Sequence, residues 1–224
     1  MSRILIAGGG GFGLEMYSYI TADLAATEAS QRPLLGILND GPDCEVLHKI
    51  PQALYFGNIQ DYHPQVGDAI TIAIGSPTAR RTLADLLRTR GAQLLTYIHP
   101  SALVATTAHI GEGAIICPNS IVNASATIGD NVALNVFCSV GHGAKVGAHS
   151  VLSPYCSLNG DAVLGEGSFM GSGATIFPKI QVGDNCTIDA HTAVRHPAPD
   201  NQMIAVRGQY LVVAQRSLPK KPII

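Results

Sequence analysis

His142 is the residue of this sequence whose type and surroundings best suit catalysis. It lies in the segment Ser139-Val140-Gly141-His142-Gly143, and an imidazole transfers protons readily near neutral pH. The eight histidines form no H-x-H or HExxH pattern. His191 and His196 are too isolated for a metal centre, so the sequence predicts no metal site.

The segment Gly8 to Gly13 could hold a phosphate group. It follows a predicted buried strand, Arg3 to Ala7, and precedes a predicted helix from Leu14 to about Ala25. Glycines let the backbone approach an anion, and the N–H groups at a helix start face it. Although the pattern fits G-x-G-x-x-G, Asp40 lies 27 residues beyond Gly13 rather than about 20. A single nucleotide is favoured, and NAD remains an alternative.

A second strand and helix follow in the first half of the chain. The predicted elements are a strand from Ala69 to Ile74, a helix from Thr78 to Arg90 with Ser76 as its cap and Pro77 at its first position, and a strand from Leu94 to Tyr97. They predict a small α/β domain with a parallel sheet over residues 1–97. Its strands would end at Gly8–Gly13, Asn39–Asp40 and Gly75–Ser76, and these ends should meet at one ligand crevice.

The second half of the chain repeats every six residues. Seventeen positions in steps of six, from Ile98 to Val194, are all Val, Ile, Leu or Met. Gly often follows the aliphatic residue, and a small residue lies four places after it. This pattern predicts a left-handed parallel β-helix over residues 98–197, with the aliphatic side chains inside and glycine permitting the corner. Residues 198–224 are predicted to form a tail.

Charge and composition exclude several classes of protein. Charged residues make up 13% of the chain, and only nine of them lie between Ile98 and Pro197. The net charge is −2, with no basic block before Lys220 and Lys221, which argues against nucleic-acid binding. No apolar run is long enough for a membrane helix or a signal peptide. Five cysteines without a CxxC pair fit a reducing compartment. We expect a cytoplasmic protein.

The repeat places small residues beside His142. Residues 18 apart stack on neighbouring coils, so Ala124 lies below the histidine and Gly160 above it. The imidazole should therefore have open space beside it, as a ligand groove requires. The alternative is a solvated corner histidine, which is the interpretation given to His149 and His191.

The chain resembles bacterial sugar acetyltransferases. This family includes the UDP-4-amino-sugar N-acetyltransferases and the sialic-acid O-acetyltransferase group. The resemblance covers nearly the whole chain and depends on Ile6 to Gly13, Leu35 to Asp40, Ile72 to Gly75 with Arg80, His99-Pro100, and Leu134-Asn135 followed by Val140-Gly141-His142. It implies acetyl-CoA as co-substrate, a nucleotide-linked amino sugar as acceptor, and a homotrimer.

The resemblance also implies roles for individual residues. His142 matches the general base, Gly160 a glycine whose N–H faces the thioester carbonyl, and Asn135 an asparagine of the acceptor site. Ser172 and Ala190 fall where the arm of coenzyme A passes between subunits. The residues that match the nucleotide-sugar crevice are Gly10, Gly11, Phe12, Asn39, Asp40, Gly75 and Ser76.

The sequence departs from the family pattern at three places. The family histidine is usually followed by an acid that orients the imidazole, but Gly143 stands here. Val151 occupies the place of a second histidine beside coenzyme A. Ala205-Val206-Arg207-Gly208 replaces the usual G-x-P-A-K segment.

Three functions remain open at this point. The first is N-acetylation of a nucleotide-linked amino sugar by direct transfer. The second is O-acetylation of a sugar with the same histidine base, and the sequence alone does not separate the two. The third is a β-helix protein that binds without catalysing a reaction.

Overall fold

The computed structural model describes residues 2–206 of the chain. The first part is a parallel sheet of five strands in the order β3-β2-β1-β4-β5. Its elements are β1 (Arg3–Ala7), α1 (Gly11–Ala25), a short 3-10 helix (Ala29–Gln31), β2 (Leu34–Leu38), α2 (Glu45–Lys49), β3 (Leu54–Gly57), β4 (Asp68–Ile72), α3 (Pro77–Thr89) and β5 (Gln93–Leu94). The sheet packs α1 on one side and α3 on the other.

Several bounds differ from those expected. Helix α1 begins at Gly11 rather than Leu14 because the chain leaves its extended conformation directly after Gly10. Strand β4 ends at Ile72, before the predicted Ile74. The expected strand from Leu94 to Tyr97 is divided, since Leu94 ends β5 while Tyr97 begins the first strand of the coil.

The rest of the described chain winds into a prism with three faces. The first face carries β6 (Tyr97–Ile98), β9 (Ile115–Ile116), β12 (Ala133–Leu134), β15 (Val151–Leu152), β18 (Phe169–Met170), β21 (Thr187–Ile188) and β23 (Met203–Ile204). The second face carries β7 (Leu103–Val104), β10 (Ile121–Val122), β13 (Ser139–Val140), β16 (Ser157–Leu158), β19 (Thr175–Ile176) and β22 (Ala193–Val194). The third face carries β8 (His109–Ile110), β11 (Thr127–Ile128), β14 (Lys145–Val146), β17 (Val163–Leu164) and β20 (Gln181–Val182).

The hexad period fixes this prism. Every strand pairs in parallel with the strand 18 residues away, as Val122 with Val140 and Val140 with Leu158. The aliphatic residues and the small residues four places later fill the interior. The fold is therefore the predicted one, a small α/β domain followed by a left-handed β-helix. The coil strands continue to Ile204, while residues 207–224 of the predicted tail lie outside the described part.

The corners turn at a different residue from the one the glycines suggested. The left-handed conformation is adopted three places after the aliphatic residue, for example at Asn131, Phe137 and Asp161. The glycine one place after the aliphatic residue instead lies against the next coil, where a Cβ at Gly129 would come within 2.6 Å of the Ala148 nitrogen. This glycine is needed for close approach of the coils rather than for the turn itself.

The two parts of the molecule pack closely together. Side chains of α1 and β1, including Met16, Ile20 and Ile6, share one core with Ile115 and Ala133 on the first face. Helix α3 follows the edge between the third and first faces, where it makes ion pairs between Arg81 and Glu166 (2.7 Å) and from Arg88 to Glu112 and Asp130 (3.0 Å each). The ends of β1 and β4 are thus fixed relative to the prism.

Candidate active site

Three strand ends meet at the carboxyl edge of the sheet. Strand β1 lies between β2 and β4, so Gly8–Gly13, Asn39–Asp40 and Gly75–Ser76 follow neighbouring strands, as predicted. Gly10, Gly11, Asp40, Gly75 and Ser76 are exposed, and Phe12 and Asn39 are half-buried. Methyl groups added at Gly10 or Gly75 would meet no atom within 4 Å, so space for a ligand lies beside both.

Two of these polar side chains support the backbone locally. The Asn39 amide oxygen accepts a hydrogen bond from Gly9 N–H at 3.0 Å, and its amide nitrogen donates to the Gly41 carbonyl at 2.9 Å. The Ser76 hydroxyl caps α3 by accepting from Ala79 N–H at 3.4 Å. Both residues therefore shape the crevice, whatever they contact in a ligand.

Arg80 joins this edge of the sheet to the prism. The side chain is fully buried, and its guanidinium donates to the carbonyl oxygens of Ile72, Ile74 and Asn131 and to the Asn131 amide oxygen. These acceptors are all neutral, and burial lowers the pKa of Arg80 to about 9. The sequence marked Arg80 only as a family landmark, because its partners lie far away in the chain.

His149 completes this network and corrects an expectation. It was interpreted as a solvated corner histidine, but it is only 7% exposed and its Nδ1 lies 3.0 Å from the Asn131 amide nitrogen. Helix α3 covers this edge of the prism, which the repeat pattern alone did not reveal. His191, given the same interpretation, is exposed.

His142 and Gly160 lie together on the edge between the second and third faces. His142 is exposed, and its ring rests on Gly160, where an added Cβ would be 2.5 Å from Cε1 and Nε2. The expected space above the histidine is therefore filled by the imidazole itself. The Gly160 N–H has no acceptor within residues 2–206, so it is available to a ligand oxygen.

Asn135, Ser172 and Ala190 lie on a different edge, between the first and second faces. The Asn135 amide oxygen accepts from Val136 N–H at 2.8 Å, and the Ala190 N–H donates to Asp189 at 2.8 Å. Ser172 is exposed. The whole second face separates this edge from His142, so one chain does not bring the two groups together.

The sequence reasoning missed an aromatic stack on that same edge. The rings of Phe137 and Tyr155 are parallel within 2°, with centroids 5.1 Å apart, and the two residues are 47% and 63% exposed. Their spacing of 18 residues could have indicated stacking, but corner positions carry many residue types and gave no signal of their own.

Metal and thiol chemistry find no support in the described residues. No group of three potential metal ligands occurs in residues 2–206. All five cysteines are buried, and burial raises the pKa of the Cys117 thiol to about 12. None of the described helices is long and apolar enough to cross a membrane.

Comparison with known proteins places the chain among acyltransferases. No protein-family profile and no curated protein sequence matches it, but solved structures do. The acetyltransferase domain of PglB from Neisseria gonorrhoeae FA1090 is 25% identical with a TM-score of 0.80, over 92% of this chain and 97% of that one. Perosamine N-acetyltransferase from Caulobacter crescentus, solved as a histidine-to-asparagine variant in complex with CoA and GDP-perosamine, is 27% identical with a TM-score of 0.78, over 91% and 94%.

The fold alone is shared with a further structure. WeeI from Acinetobacter baumannii AYE has a TM-score of 0.79 at 22% identity, over 91% of this chain and 97% of that one. Together the fold and the likenesses define an acyltransferase of the hexapeptide-repeat β-helix type. It is similar to the bacterial sugar N-acetyltransferases, and the resemblance drawn from the sequence is confirmed.

Proposed function

We propose that this chain transfers the acetyl group of acetyl-CoA to the amine of a nucleotide-linked amino sugar. The observation that carries the proposal is a likeness over more than nine-tenths of the chain to a perosamine N-acetyltransferase solved with CoA and GDP-perosamine. The open crevice at Gly10, Gly11 and Gly75 suits the phosphates of a nucleotide, because it presents exposed backbone at the start of α1. Phe12, Asn39, Asp40 and Ser76 complete its lining, and Asn135 contacts the acceptor sugar.

His142 acts as the general base in a direct transfer. Its imidazole takes a proton from the sugar amine as the nitrogen attacks the thioester carbonyl of acetyl-CoA. The carbonyl oxygen becomes an oxyanion and accepts the N–H of Gly160. When the carbon–sulfur bond breaks, the imidazolium returns the proton to the departing thiolate, which leaves as the thiol of CoA. No acyl-enzyme is needed, in keeping with five buried cysteines.

The active site is completed by a neighbouring copy in a trimer. His142 and Gly160 lie on one edge of the prism, while Asn135, Ser172 and Ala190 lie on another. The outward side chains of the second face are uncharged and mostly small, namely Leu103, Ile121, Ser139, Ser157, Thr175 and Ala193. Such a face suits packing against another copy, with the arm of coenzyme A between the two edges. Acetyl-CoA is a cytoplasmic metabolite, so we place the enzyme in the cytoplasm.

Replacing the base tests this mechanism. His142→Ala should lower kcat by roughly 10²–10⁴-fold and leave the affinity for CoA unchanged, because the imidazole moves a proton and does not bind the cofactor. Steady-state kinetics and calorimetry with CoA measure the two quantities. His63→Ala, a change at an exposed histidine in the first domain, is the matched control.

The acceptor group is tested in the same assay. Nucleotide sugars that differ only in carrying an amine or a hydroxyl at the reacting carbon should show transfer to the amine. Preferential transfer to the hydroxyl would replace this proposal by sugar O-acetylation. A wild-type kcat in His142→Ala would remove the base assignment, and a protein that binds no CoA would be a binding protein only.

A further inference from the structure

Two glycines and two functional side chains are arranged diagonally on neighbouring coils. The imidazole of His142 occupies the place where a side chain on Gly160 would lie. In the same way, the carboxylate of Asp161 occupies the place where a side chain on Gly143 would lie. The two coils are held in this register by a hydrogen bond of 2.9 Å from Asp161 N–H to the His142 carbonyl. One base and one acid thus lie side by side, each resting on a glycine of the other coil.

The Asp161 carboxylate is free to serve a neighbour. Asp161 is exposed, and within residues 2–206 its side chain takes part in no ion pair or hydrogen bond. Lys179 follows it at the equivalent position of the next coil and also lies outside the ion pairs of the described residues. The other acids near a turn have defined partners, as Asp189 does with Ala190. Asp161 has no such role.

A base that becomes a cation needs a compensating charge. When an imidazole takes a proton, a nearby carboxylate stabilises the imidazolium and selects the nitrogen that stays protonated. This stabilisation increases when substrates exclude water from the site. Rotation of two exposed side chains on one edge, His142 and Asp161, is enough to bring imidazole and carboxylate together.

We propose that Asp161 is the positioning residue for His142, supplying its carboxylate from the following coil. This inference rests on the proposed function, since it requires His142 to act as a base. It explains why Gly143 stands directly after the histidine. The space for a side chain at that position already contains the Asp161 carboxylate, so the acid is present without being adjacent in sequence.

Removing the carboxylate gives the first test. Asp161→Asn keeps the shape of the side chain and should lower kcat by about ten- to a hundredfold, as loss of a carboxylate partner of a histidine does elsewhere. The KM values for acetyl-CoA and for the amino sugar should change by less than about threefold, because substrate binding does not use this group. Asp184→Asn, an exposed acid on another edge of the prism, is the control and should keep the wild-type kcat.

Moving the carboxylate back gives the second test. Gly143 and Asp161 have nearly the same left-handed backbone, with φ of 64° and 60°, so aspartate and glycine can exchange places without backbone strain. The double variant Gly143→Asp with Asp161→Gly should recover most of the kcat lost in the single variant Asp161→Gly. Gly143→Asp alone should be impaired, because its side chain would overlap the Asp161 carboxylate.

The outcomes separate this inference from the proposed function. Wild-type kcat in Asp161→Asn would overturn the positioning role, provided that wild-type activity and its loss in His142→Ala are seen in the same assay. A folded double variant that fails to recover would also overturn it, because the effect of Asp161 would then be structural. If the wild type acetylates no amino sugar, it is the proposed function that fails.

Discussion

Gly129 lies where one coil of the prism passes directly against the next. A Cβ at this position would be 2.6 Å from the nitrogen of Ala148 and 2.9 Å from its Cα. Both are backbone atoms held by the parallel ladder, so neither can move without disturbing the coil above. Equivalent glycines at 147, 165, 171 and 183 meet the same obstacle. Absence of a side chain, rather than unusual backbone angles, is what these positions require.

Gly129→Ala should therefore lower the free energy of unfolding by about 1–3 kcal/mol, the usual cost of an extra carbon in a close-packed region. Urea unfolding followed by circular dichroism measures this. Gly41→Ala is the matched control, because an added Cβ there meets no atom within 4 Å. Equal stability of the two variants would show that the coils can separate at little cost.

Helix α3 and the corner of the prism meet through a hydrogen-bonded chain whose protonation can be worked out. Arg80 can only donate, so the Asn131 oxygen must face it, at 2.8 Å from Nη2. The Asn131 amide nitrogen then donates to the Arg80 carbonyl and to Nδ1 of His149, both at 3.0 Å. His149 must accept at Nδ1, so the folded protein holds its neutral imidazole with the proton on Nε2.

This arrangement makes the contact between the two parts sensitive to acid. Burial lowers the pKa of His149 from its ordinary value of 6.5, and the positive charges of Arg81 and Arg88 lower it further, whereas Glu166 and Asp85 raise it. Because the folded state disfavours the charged imidazole, its stabilising contribution is complete above pH 6.5 and declines as the pH falls through that value.

His149→Asn should flatten this part of the pH dependence. Asparagine tolerates the left-handed backbone, offers an oxygen to Asn131 and does not titrate near neutral pH. The wild type should lose more free energy of unfolding between pH 7 and pH 5 than the variant does, by at most about 1.4 kcal/mol for each unit of lowered pKa. His191→Asn, at an exposed corner histidine with the same backbone, should follow the wild type. An unchanged slope in His149→Asn would contradict the assignment.

The network also shows which elements a sequence can reveal. The coil strands follow from a local signal, an inward aliphatic residue every six positions, which recurs in every strand from β6 to β22. Helix α2 has only five residues, too few for a helical period, and Leu54 and Tyr55 of the edge strand β3 are exposed. Burial of His149 depends on α3, which is more than 50 residues away in the chain, and no local pattern records such a contact.

The candidate site was predicted to a similar extent. The glycine segment and the strand ends were recognised because parallel strands end at one edge of their sheet. The ring of His142 on Gly160 followed from the stacking of residues 18 apart. The Asp161 carboxylate over Gly143 did not, since it depends on side-chain direction at a corner rather than on residue spacing.

The distribution of site residues over the whole molecule indicates that a single chain is incomplete. His142 and Gly160 occupy one edge of the prism, while Ser172 lies on another with the second face between them. If two copies form each site, a chain damaged at one edge can still supply the other edge to its neighbour. Two inactive variants should then complement each other in mixed assemblies.

His142→Ala lacks the base, and Ser172→Trp should obstruct the passage for the arm of coenzyme A on the other edge. Each variant alone should be inactive, but co-expression in equal amounts should restore about a quarter of wild-type activity. In a randomly mixed trimer, an intact His142 edge meets an intact Ser172 edge at about one site in four. Activity of the purified mixed assemblies measures this, with the double variant of one chain as the control. If each chain builds its own site, no mixture regains activity, because every copy carries one defect in its only site.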